Sequence, residues 1–317
     1  MEEKITATQE IATESVTAQF KTYTKSERNW YLLGLAGQNV IYNIIAAALQ
    51  YYMQFTILIP AMTVSLIMMA ARIWDAFNDP MMGTIVDYTR TKWGKCRPYL
   101  IIMPVPIMII TIICFTNFGF YNQGIVSNGL IVFWAAFTYI LWGMAYTVAD
   151  IPLWGVTSLM TESEKDKTKL LSLARVIAGI GGGVTLLAMQ PLALALSNVF
   201  TNTPLANGVA AQGERYGFLI AAIIFGVVGT AIFIPTGFKI KERIETTKER
   251  YSLADNFKIA AKNKPFRQII LSGILGSTKM LIALVAMPLI TYYFSSKSAI
   301  LALLYMVLLG GGMFLGQ

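Results

Sequence analysis

The chain has 317 residues, 56% hydrophobic and 13% charged, with a formal net charge of +8. A soluble domain carries about 25% charged residues. Here no charge falls within residues 29–71, 98–149, 176–213 or 216–238, which excludes a soluble helical bundle with a solvated face on every helix. About 20 mostly apolar residues cross a bilayer, so the first two intervals hold more than one span each and predict an all-α, polytopic membrane protein. The chain has no histidine. That excludes a Ser-His-Asp triad, an HExxH protease and a His proton relay, and no enzyme or resident cofactor is expected. Cys96 and Cys114 are not expected to pair, because one lies in a loop and the other within a span.

Residues 1–28 are polar and charged and read as a cytosolic tail. They are not a signal peptide, since the apolar run behind them is too long for an h-region. Eight spans follow, near 30–55, 60–86, 98–119, 128–154, 170–196, 215–238, 266–294 and 298–317. Pro60 and Pro98 stand at or beside span starts, where a missing N–H is tolerated. The stretch Asn117–Gly129, NFGFYNQGIVSNG, splits the second long interval with turn residues. The expected organisation is a tail (1–28), a six-helix bundle (29–238), a basic linker (239–265) and about two further helices (266–317).

Twenty of the 25 lysines and arginines fall in the tail, in the loops after the second and fourth spans, and after the sixth; only Arg215 and Lys297 lie in loops on the opposite side. This asymmetry places the N-terminus and the even-numbered loops in the cytosol. It also explains the net charge, because basic residues at that face meet anionic lipid heads. Nucleic-acid binding is not needed to account for it.

Arg72, Asp75, Asp79, Asp150, Arg175 and Lys279 fall within spans. An ionisable group at the bilayer centre costs at least about 2.5–3.5 kcal/mol, so each is a functional candidate. With Arg72 at 0°, helical phase puts Asp79 near about −20°, Asp75 near about −60° and Asn78 near about −120°. One polar face therefore runs along the second span. On the fourth, Gly143, Tyr146, Thr147, Asp150 and Trp154 share about 100° of arc. Two readings stand for the second span. Arg72 with Asp75 or Asp79 is a structural ion pair, or the surplus carboxylate beside the Asn78 carbonyl is a hard-oxygen site for Na⁺ or H⁺. Pro80 favours the second by leaving the Ala76 carbonyl without its helical donor. Arg175 is expected to pair with Asp150 or to bind substrate. The glycines after it, Gly179, Gly181, Gly182 and Gly183, read as a surface for close helix packing.

ARIWDAFNDPMMGTIVDYTRTKWGKCRPYL (Ala71–Leu100) and YILWGMAYTVADIPLWG (Tyr139–Gly155) resemble the glycoside–pentoside–hexuronide:cation symporter family (melibiose permease-like) of the major facilitator superfamily, from about Tyr31 to the end. The resemblance implies a major facilitator fold in a bacterial inner membrane, and a sugar or glycoside carried with Na⁺ or H⁺. By position it implies cation-site roles for Asp75, Asn78, Asp79 and Thr147, with Na⁺ at Asp75 and Asp79. It implies sugar-site roles for Asp150, Trp154 and Arg175, and puts Tyr146 at their boundary. Gly83, Asp87, Arg90 and Arg97 match a cytosolic loop motif that latches two helical halves.

Two departures bear on the substrate. The family often carries a Lys-Asp pair on the first span, where this chain has Gln38 and Asn39; Asn39 can still hydrogen-bond a sugar hydroxyl but brings no charge. Lys279 stands on the seventh span where the family's best-known member is neutral. A more cationic cavity suits an anionic sugar such as a hexuronide held by Lys279 or Arg175, although Lys279 can also snorkel to the interface. The superfamily has two six-helix halves, and the chain stops within an apolar run, GGGMFLGQ. It is therefore expected to be an incomplete copy that transports poorly alone. A sugar sensor that does not transport is the alternative.

Overall fold

The computed structural model describes residues 21–116, 129–200, 212–244, 258–259 and 261–276. Among them all regular structure is helical, apart from one Thr91–Gly94 bridge. The helices are α1 (Lys25–Ile44), α2 (Ala61–Tyr88), α3 (Arg97–Ile102), α4 (Pro104–Cys114), α5 (Gly129–Gly155), α6 (Thr157–Met160), α7 (Glu164–Phe200), α8 (Gln212–Lys239) and α9 (Lys264–Gly276). By length and composition, four segments can cross a membrane: Lys25–Thr56, Gly129–Met160, Glu164–Ser197 and Gly213–Lys239. The all-α, membrane-length architecture read from the sequence is the one observed. Helix α2 is equally long, but Arg72, Asp75, Asn78 and Asp79 lower its apolarity.

Element boundaries follow local chemistry. Helix α1 starts ahead of its apolar run because Thr24 and Glu27 close a reciprocal capping box. It continues through two π-helical segments, Ile45–Leu49 and Tyr52–Thr56. The third predicted span is interrupted at Met103, just before Pro104, which has no N–H to continue the ladder. Helix α7 begins at Glu164, well before its apolar stretch, with the Ser163 hydroxyl accepting from the Asp166 amide at 3.3 Å. The predicted seventh span is described only as far as Gly276, and the eighth lies outside the described residues.

The chain divides into two compact units, Met1–Lys248 and Glu249–Gln317. In the first unit α1 lies against α7 and α8, α7 against α8, α2 against α5, and α3 and α4 against α8. Two apolar clusters hold the unit together. One gathers Tyr52, Phe115, Trp142 and Phe218; the other gathers Leu35, Leu100, Leu153, Phe233 and Ile240. The latter sits at the end rich in basic residues. In the second unit α9 exposes Ile269, Leu271, Ile274 and Leu275.

Helices α1 and α8 approach so closely that glycine is required. A Cβ on Gly37 would lie 2.5 Å from the Gly229 carbonyl oxygen and 2.8 Å from the Phe233 nitrogen, both backbone atoms that cannot step aside. The α7 glycines divide differently from the sequence reading. Gly181 and Gly182 do pack on α1, at Ala36 and Asn43, but Gly179 and Gly183 have nothing within 4 Å. Gly37→Ala is expected to destabilise by about 1–3 kcal/mol through overpacking, lowering the thermal midpoint in detergent. Gly183→Ala, in open space within a helix, is expected to hold or raise that midpoint. Equal midpoints for the two variants would refute the close α1–α8 contact.

Candidate functional site

Helix α5 presents polar groups in two directions. Toward α2, the Thr147 hydroxyl donates to Asp79 Oδ1 at 3.0 Å. Gly143 leaves room beside Asp75, whose Oδ1 lies 3.2 Å from where a Cβ would stand. Arg72 Nη1 reaches Asp75 Oδ2 only at 3.5 Å, and its side chain is 67% exposed. Such a long, exposed contact contributes little, so the ion pair does not use up the acidic face. Asn78 Nδ2 is buried and has no hydrogen-bond partner among the described residues. Asp75 and Asp79 of α2 thus both face α5, the first at Gly143 and the second at Thr147.

Toward α1, the partners converge on Asp150. Gln38 Nε2 donates to Asp150 Oδ1 at 2.5 Å and also to the Tyr146 hydroxyl. Trp154 Nε1 donates to the same Oδ1 at 3.1 Å, and the Tyr146 hydroxyl reaches it at 3.5 Å. The other carboxylate oxygen, Oδ2, accepts no hydrogen bond among the described residues. Asn39 Nδ2 donates to Gln38 Oε1 and to the Leu35 carbonyl, each at 3.0 Å. This holds the Gln38 amide in the orientation that points its nitrogen at Asp150. The Tyr146 ring stacks on Trp142 at 4.9 Å and tilts against Tyr42 at 5.2 Å. Trp142 is itself tied to Thr111 at 2.9 Å.

Two sequence expectations meet a different arrangement. Arg175 does not reach Asp150. It is exposed on α7 and makes no ion pair among the described residues, and neutral donors surround Asp150 instead. Gln38, expected only as a neutral replacement, is the buried residue that joins α1 to α5, being 1% exposed. Asn39 bonds Gln38 and the Leu35 carbonyl. Lys279 lies outside the described residues.

At the basic end, Lys95 Nζ pairs with Asp87 Oδ1. Arg90 Nη1 donates to the carbonyls of Asp87 and Thr89 at 2.7 and 2.9 Å. Arg97 is engaged within its own unit, donating to the carbonyls of Gly237, Trp93 and Phe238 at 3.0, 3.2 and 3.4 Å. Gly83 has nothing within 4 Å of a Cβ position. Sequence reasoning missed Glu242, whose carboxylate accepts from the amides of Lys95, Cys96 and Arg97. The signal available was slight: an acid directly behind a span in an otherwise basic stretch. Burial first, then the carboxylates of Glu242 and Asp87, push the Cys96 thiol up to about 12 against the opposing pull of Lys95.

Residues 30–316 match the profile of the MFS/sugar transport proteins. The chain belongs to this family. The match agrees with the glycoside–pentoside–hexuronide:cation symporter resemblance carried by the two motifs. Relatives include an isoprimeverose transporter from Lactiplantibacillus pentosus, 27% identical over 72% of this chain and 44% of its own length. The inner membrane symporter YicJ of Escherichia coli (strain K12) is 26% identical over 76% of this chain and 48% of its own. A lactose permease from Leuconostoc lactis is 29% identical over 66% and 30%. The chain spans about half the length of the first two. The family and these relatives are transporters, and the apolar helices fit a multi-pass membrane protein.

The Asp150 network makes a stability prediction. Gln38→Ala removes a donor from Asp150 and an acceptor from Asn39, and is expected to destabilise by about 1–3 kcal/mol. Gln38→Glu is expected to cost more, because it sets two carboxylates against each other. Thermal unfolding in detergent reads both; midpoints equal to the parent's would refute the network.

Proposed function

We propose that this chain binds a sugar or glycoside together with Na⁺ or H⁺ and serves in their symport across a bacterial inner membrane, with its N-terminus and basic end in the cytosol. The observation that carries the reading is the placement of Thr147 and Asp150 on α5. These residues are less than one helical turn apart, and the first bonds Asp79 on α2 while the second bonds Gln38 on α1. In this reading Asp75 and Asp79, with the oxygens of Asn78 and Thr147, bind the cation. Neutral oxygens beside carboxylates suit Na⁺, while a proton needs only a carboxylate. Asp150 accepts sugar hydroxyls at its unused Oδ2, and Trp154 stacks on the apolar face of the ring. Tyr146 stands between the two sites. Arg175, exposed on α7, and Asn39 take further hydroxyls or a carboxylate. Residues 29–238 form one six-helix half, 239–265 the linker and 266–317 the start of the other half, with Gly83, Asp87, Arg90 and Arg97 as the cytosolic gate.

Relatives named for isoprimeverose and lactose support a glycoside substrate. A hexuronide is the anionic version that Lys279 and Arg175 suit. Binding of the cation removes surplus negative charge beside α5 and raises sugar affinity, and by linkage sugar raises cation affinity by the same factor.

Sugar binding to this chain with and without Na⁺, and at two pH values, tests the reading. Affinity is expected to rise with the coupling cation by about 5- to 150-fold, the usual range of coupling, and Asp79→Asn is expected to abolish the rise. Binding indifferent to both Na⁺ and pH would replace symport with sugar sensing. A labelled glucuronide and its neutral glucoside compared in the same assay test the anionic substrate; preference for the neutral sugar removes the hexuronide.

A further inference from the structure

The chain just beyond α8 is firmly docked. Ile240 is fully buried. Glu242 Oε2 accepts from the Lys95 amide at 2.7 Å, and Oε1 accepts from the Cys96 and Arg97 amides at 2.8 and 3.0 Å. Three successive backbone N–H groups around one carboxylate make a nest that suits negative charge. Gly94 makes the nest possible: its φ is +114°, and a Cβ there would stand 2.5 Å from Glu242 Cδ. The same loop is held a second time by Arg97, which reaches back to the carbonyls of Gly237 and Phe238. The neighbouring Arg243 turns the other way. Its Nη2 bonds both oxygens of the buried Glu27, at 2.7 and 3.0 Å, and its amide donates to the Leu159 carbonyl at 2.8 Å.

We propose that Glu242 is a positioning residue of the candidate gate: it latches the loop between α2 and α3 to the segment that follows α8, so that movement of that segment reaches the Asp87–Lys95 pair through the backbone of Lys95–Arg97. The gate role of Asp87 rests on the symporter reading above; the latch itself is a property of this unit alone. Lys95 connects the two, since its amide is held by Glu242 while its ammonium pairs with Asp87. Arg243 ties the same segment to α1 and α6, so movement of those helices and of the segment reaches Glu242 together. Releasing Glu242 frees one end of the loop and leaves the Arg243 anchor in place.

The protein carries its own reporter. Cys96 is 2% exposed and its amide bonds Glu242, while Cys114 is buried in α4. The full chain in detergent is treated with N-ethylmaleimide, and modification of each cysteine is followed by peptide mass. Cys96 of the parent is expected to react slowly. Glu242→Ala is expected to speed it about tenfold or more, because reaction follows local opening and three charge-assisted bonds are lost. Glu242→Gln keeps one oxygen acceptor and is expected to fall between. Gly94→Ala, with Glu242 intact, is expected to reproduce the alanine effect by displacing the carboxylate.

Cys114 separates a latch from general loosening, since unlatching accelerates Cys96 alone. Should Glu242→Ala also expose Cys114, Glu242→Gln decides. Faster Cys96 with silent Cys114 supports the latch; a rate equal to the parent's, or a rise shared by both cysteines, overturns it. Parental Cys96 rates in Glu242→Ala and Gly94→Ala overturn it as well. Neither sugar nor cation enters this experiment, so its outcome stands apart from that of the sugar-binding test.

Discussion

A carboxylate among membrane helices must find donors within the bundle, because lipid offers none. Asp150 meets this demand with the Gln38 amide, the Trp154 indole and the Tyr146 phenol, all aimed at Oδ1. Much of the first unit's geometry follows from this convergence. Gln38 must be buried, so α1 must bring it to α5. Asn39 must hold the Gln38 oxygen, or the amide could turn its acceptor toward the carboxylate. Tyr146 must be fixed, which the Trp142 stack and its tie to Thr111 accomplish. All three donors are neutral, so among the described residues the Asp150 carboxyl group is held by hydrogen bonds and not by a cation.

On the other side of α5 the requirement is met less fully. Among the described residues, Asp79 receives one hydroxyl and Asp75 one distant guanidinium, and the Asn78 amide nitrogen is buried without a partner. Incomplete satisfaction costs stability, and natural proteins tolerate such places where a ligand completes the set. The contrast between a well-donated Asp150 and under-donated Asp75 and Asp79 is the physical basis for giving them different tasks.

The fold was largely legible because apolar runs of membrane length are a one-dimensional signal. The polar face of α2 and the phases of Thr147, Asp150 and Trp154 were legible too, since helical phase depends only on spacing. What stayed hidden was tertiary. Gln38 looks like a lost charge until α1 is seen to deliver it to Asp150. Arg175 was matched to Asp150 by charge, yet it stands exposed on α7 without reaching that carboxylate. Glu242 was easily passed over because its partners are backbone amides, which no side-chain pattern reveals. The start of α1 at Lys25 came from capping chemistry that hydropathy ignores. Gly179 and Gly183 have the spacing of packing glycines, but the packing surface is formed by Gly181 and Gly182.

Thr147 and Asp150 are less than one turn of α5 apart, and that proximity carries the proposed symport, in which Thr147 would report the state of Asp79 to the helix that holds Asp150. The most direct test is a titration of sugar into Thr147→Val with and without the coupling cation, set beside the parent chain. The account predicts unchanged sugar affinity in the absence of the cation and a largely lost enhancement in its presence. An enhancement as large as the parent's would contradict it.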